Sequence, residues 1–109
     1  MARLGVDRRA LGRYLRRLDD RYPLHLAVLF GSRARGDELR ESDYDLLLVS
    51  DAFGQMPPWD RIQACLDLWD LPEPLEVVAL TTTELERRRE DLTVVGEAMR
   101  EGTVLRLVA

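Results

Sequence analysis

The chain has 109 residues, 46% of them hydrophobic, and a formal net charge of −4. That is one domain, residues 1–109, with a single modest core; it is not a disordered tail, and no apolar run approaches the length of a bilayer crossing. The charge balance speaks against direct nucleic-acid binding; the single His and single Cys speak against zinc sites, Ser-His-Asp chemistry and an internal disulfide. No signal-type segment opens the chain, which reads as cytoplasmic. All 16 basic residues are Arg, so cations at any site must come from Arg or from metal.

Residues 6–22 read as an amphipathic helix. Leu11, Tyr14, Leu15, Leu18 and Tyr22 share one stripe at helical spacing, and Asp7 is placed to cap the start. Pro23 ends it. Leu26, Ala27, Val28, Leu29 and Phe30 form an apolar strand, and Gly31 lets the backbone turn sharply and approach a ligand. Ser32 adds a hydroxyl beside the amides of that turn, a combination suited to phosphate oxygens. Residues 37–41 are a charged connection. Ser42 precedes the next strand and either orients Asp43 or fixes the loop. On that strand Asp43 and Asp45 are two residues apart and point to one face. Paired carboxylates repel unless a cation lies between them, and hard oxygen ligands favour Mg²⁺.

Residues 50–58 are a loop, and residues 59–69 a helix with Ile62, Cys65, Leu66 and Trp69 inward. Cys65 reads as a small core residue, and both tryptophans as core unless Trp59 is exposed, which would favour a partner interface. Residues 75–80 are a third strand, apolar except for Glu76. Thr83 and Glu86 have capping-box spacing for a further helix. Residues 92–101 continue as another helix or a kinked extension, stopped by Gly102, and 103–108 read as a last strand. The fold class is therefore a small α/β (α+β) domain, with a mixed, twisted sheet of about four strands packed by helices.

The motif Gly31-Ser32-Arg33-Ala34-Arg35-Gly36, followed by Ser42-Asp43-Tyr44-Asp45-Leu46, resembles the signature of the nucleotidyltransferases of the polymerase-beta-like superfamily. The short length points to their minimal (MNT) branch. The resemblance implies the nucleotidyltransferase fold, phosphate binding at Gly31 and Ser32, and two Mg²⁺ ions on Asp43 and Asp45. Glu76 falls where the family places a third carboxylate, more often Asp, that completes the metal site and helps deprotonate the acceptor hydroxyl. Arg33 and Arg35 either steady the triphosphate or face solvent.

The implied activity is transfer of AMP from ATP to a hydroxyl. In the resembled branch the acceptor is commonly a tyrosine of a HEPN-domain partner, and the nucleotidyltransferase is the antitoxin of a toxin–antitoxin pair. Two other readings stay open: a catalytically weak module that masks its partner by contact, and a transferase for a small aminoglycoside-like acceptor. Each is compatible with a homo- or hetero-oligomer.

Overall fold

The computed structural model describes residues 6–36 and 43–108. Helix α1 (Arg8–Arg21) is capped by the Asp7 side chain, which accepts a hydrogen bond from the Ala10 amide. Then come strand β1 (Leu26–Phe30), the single-turn helix α2 (Ser32–Arg35) and strand β2 (Tyr44–Val49). A 3₁₀ turn (Asp51–Gln55), within the stretch expected as loop, leads to α3 (Pro58–Asp67) and β3 (Leu75–Leu80). The chain closes with α4 (Thr82–Arg88), α5 (Val94–Glu101) and β4 (Thr103–Leu107).

The four strands form one mixed sheet in the order β3-β2-β1-β4. β1 is antiparallel to both β2 and β4, and β2 runs parallel to β3. Every residue of β1 is buried, because helices cover the sheet on both faces; this is why the strand reads as a continuous apolar run rather than an alternation. On one face Ala27, Leu29, Tyr44, Leu46 and Leu48 pack with Leu11, Tyr14 and Leu18 of α1 and Cys65 of α3. On the other, Leu26, Val28, Phe30, Leu47 and Val49 pack with Leu85 of α4 and Val95 and Ala98 of α5. Strand alternation therefore sends Asp45, with Leu47 and Val49, to the α4/α5 face.

Three local expectations are corrected. The capping box uses Thr81 and Glu84, not Thr83 and Glu86: the Thr81 hydroxyl accepts from the Glu84 amide and the Glu84 carboxylate accepts from the Thr81 amide. In α3 the phase differs, because Arg61 takes an inward position that an apolar reading overlooks, and Leu66 turns outward. Arg61 can be buried because its guanidinium donates to Glu84 at 2.7 Å and to the Ala79 carbonyl at 3.2 Å. The tryptophans separate: Trp69 stacks edge-on against Tyr14 and Tyr44, whereas Trp59 is 80% exposed. Gly102 does end α5, but by close approach and not by a left-handed cap. A Cβ there would lie 2.3 Å from Val28 Cγ1, so the turn into β4 presses directly on the central strand.

Candidate active site

The register of the sheet builds the site. Phe30 pairs with Asp45, and Asp45 pairs with Glu76, so the end of β1 and the beginnings of β2 and β3 form one row across the sheet. Directly after Phe30 the backbone enters a conformation that only glycine adopts readily, Gly31 φ 75, ψ −158. A Cβ at this position would meet the Asp45 carboxylate at 2.3 Å. The turn is thus folded onto the acidic side chain, and only a residue without a side chain fits. The first amides of α2 follow at once, and amides at a helix start lack intrahelical acceptors.

A cleft of ≈ 610 Å³ opens over this row, with Gly31, Ser32, Arg35, Asp45 and Glu76 in its wall. Asp43 lies just before β2, half-buried, and its charge acts on Asp45. Burial raises the Asp45 carboxyl from the ordinary 3.8 to about 6, helped by the negative charges of Glu76 and Asp43, a hydrogen bond shared with Glu76, and the charge of Glu97. Among the described residues no three His, Cys, Asp or Glu side chains close into a ready-made metal cage. The donor set still fits Mg²⁺: hard carboxylate oxygens, crowded enough to repel one another, opening on a cleft where substrate oxygens and water complete the coordination.

Arg33 goes elsewhere. It is only 5% exposed and its guanidinium stacks 4.2 Å over the Tyr44 ring, on the α1/α3 side of β2. Arg33, expected to bind nucleotide, thus sits against the Tyr44 ring, because α2 is a single turn and successive side chains on it diverge. Arg35, two positions on, lines the cleft and lies 3.8 Å from Glu97. Ser42 and the connection 37–41 lie outside the described residues. The sequence reading missed Glu97 and Val94 of α5, which form the facing wall. The available signal was an acid in α5 next to buried Ala98, but nothing local tied it to a motif far earlier in the chain, at Gly31 to Asp45.

A small mixed sheet thus carries a glycine turn and a carboxylate row at one end. Residues 11–100 match the family model described as nucleotidyltransferase domain, and the chain belongs to that family. Among solved structures it is similar to a Sulfolobus solfataricus protein ascribed to the nucleotidyltransferases and solved at 1.40 Å. There the TM-score is 0.64 with 22% identity, over 89% of this chain and 77% of that one. It is also similar to a toxin–antitoxin crystal structure containing AMP-PNP, with TM-score 0.55 and 24% identity, over 94% of this chain and 75% of that one. At these identities the likeness concerns the fold. No curated protein matches the chain.

Proposed function

We propose that this protein transfers AMP from ATP to a hydroxyl of a partner protein, and that it does so as the antitoxin of a toxin–antitoxin pair. The observation that carries the chemistry is the register row, which sets the Gly31 turn, Asp45 and Glu76 side by side on one wall of an open cleft. The toxin–antitoxin structure with AMP-PNP among its structural neighbours supports the donor class and the pairing with a second protein. A HEPN-domain partner is the reading that the motif resemblance adds.

Each residue has a role that follows from its place. Gly31 and Ser32 take the phosphates, since the turn leaves room for them and presents amides and a hydroxyl. Arg35, at the cleft wall, offsets triphosphate charge. Asp43, Asp45 and Glu76 would hold Mg²⁺, which when bound neutralises phosphate charge and acidifies the acceptor hydroxyl. Glu76 is the exposed member of the row and is best placed to receive the acceptor's proton. The hydroxyl oxygen bonds to the α-phosphorus, the bond from that phosphorus to the bridging oxygen breaks, and pyrophosphate leaves.

The test combines the protein with ATP, Mg²⁺ and the product of the neighbouring gene, and reads that product's intact mass. A gain of one or more adenylates that Asp45→Asn abolishes supports the proposal. Tight association without a mass change would replace it with a masking module. Turnover with an aminoglycoside and none with protein would replace it with a small-molecule transferase.

A further inference from the structure

The carboxylate row ends at the β3 edge of the sheet. Among the described residues β3 is an outer strand, paired to β2 only. Its even-numbered carbonyls face β2: Pro74 accepts from the Tyr44 amide at 2.8 Å and Leu80 from the Ser50 amide at 2.9 Å. Backbone alternation therefore turns the N–H and C=O groups of Leu75, Val77 and Ala79 outward. Arg61 confirms that direction by donating to the Ala79 carbonyl from outside the sheet. Proteins usually blunt such an edge with proline, charge or a bulge. At the opposite edge the β4 pairing is interrupted by a register shift opposite Ala27 and Val28. The β3 ladder is regular throughout, and the strand is half-buried and apolar from Val77 to Ala79.

A groove of ≈ 460 Å³ runs along this edge and is continuous with the cleft, sharing Ile62, Val77, Val78 and Val94 with it. The occupant is dictated by the donors. An outward row of alternating N–H and C=O groups is matched by another extended backbone, not by a sugar or a base. A strand added here would lie about 4.8 Å from β3. Its residue opposite Glu76 would be the next member of the row that runs from Phe30 and the Gly31 turn through Asp45 to Glu76, on the same face. That order is the one in-line transfer requires, with phosphates at one end and the attacking oxygen at the other.

The geometry points to an acceptor that docks as an extended polypeptide segment, paired with the outward groups of Leu75 and Val77 and the Ala79 N–H while Arg61 keeps the Ala79 carbonyl, with its Tyr, Ser or Thr hydroxyl presented beside Glu76. This inference rests on the transferase reading above. The hydroxyl loses its proton to Glu76, its oxygen bonds to the α-phosphorus of ATP, and pyrophosphate departs.

The test uses short, blocked, unstructured peptides with one central Tyr, Ser or Thr, together with ATP and Mg²⁺, and reads adenylate transfer by mass. Backbone N-methylation of alternate residues leaves side chains intact but removes donors on one side of the peptide. Methylation in one parity is expected to lower kcat/KM about tenfold or more, and in the other parity to leave it nearly unchanged. Ala79→Pro removes an outward N–H and no β2–β3 hydrogen bond. It is expected to raise the peptide KM by a similar factor at unchanged ATP affinity and melting temperature within a few degrees, whereas Ala79→Ser, which keeps the N–H, is expected to behave as wild type. Equal loss in both parities, or none in either, would overturn the docking mode, as would transfer to nucleosides, RNA or aminoglycosides with no peptide modified. Failure to bind ATP with Mg²⁺, or to transfer to any acceptor, would instead sink the transferase reading beneath it.

Discussion

Asp45→Asn should stabilise the fold while abolishing transfer. In a chelating buffer, the Asp45 carboxyl is held at about 6 by burial and by the adjacent acids, against an ordinary 3.8. At 1.36 kcal/mol per decade that difference amounts to about 3 kcal/mol of native-state cost at neutral pH. Asp45 is only half-buried, so solvent screening reduces the figure to about 1 kcal/mol. The sign follows from linkage. A carboxyl whose value is raised on folding favours the native state below about pH 4, and that advantage is lost as the pH rises through about 6. The amide variant never pays this cost, so its advantage over wild type should be full near about pH 7.5 and shrink to about a third of that near about pH 4.5. For a domain of this size the gain corresponds to roughly 4–6 °C in melting temperature. Thermal melts of both proteins at the two pH values decide it. An equal difference at both, or a variant less stable than wild type near neutrality, would refute the electrostatic account of the row.

Gly31→Ala should cost about 1–3 kcal/mol, from the left-handed backbone and the collision with Asp45, and should remove ATP binding; chemical denaturation and calorimetric titration read the two effects. The two arginines of α2 should separate cleanly. Arg33→Ala should lower stability by about 1–2 kcal/mol through lost stacking and burial, with ATP affinity little changed, whereas Arg35→Ala should weaken ATP binding several-fold and leave the melting temperature in place. Arg61→Ala strands the Glu84 carboxylate and the Ala79 carbonyl, and should destabilise by about 2 kcal/mol in denaturant titration.

Much of this molecule is legible along the chain because its signals are local. β1 and β3 fall on their apolar runs, Asp7 caps α1, and the glycine turn and the aspartate pair need only neighbouring residues to be recognised. Errors arose where distant contacts outweighed local pattern. Arg61 displaced an expected apolar face because Glu84, more than twenty positions later, neutralises it. Arg33 takes a buried seat against the Tyr44 ring, which nothing near it in the chain announces. Composition cannot announce either, since each depends on what the folded chain brings opposite. The fold, and the residue types proposed for the site, are thus legible in the sequence through strand period, turn geometry and charge spacing. Which of those residues share a wall, that Glu97 of α5 faces them, and that the carboxylate row runs out to the β3 edge were decided only by tertiary structure, because strand pairing and register are set by contacts between segments far apart in the chain.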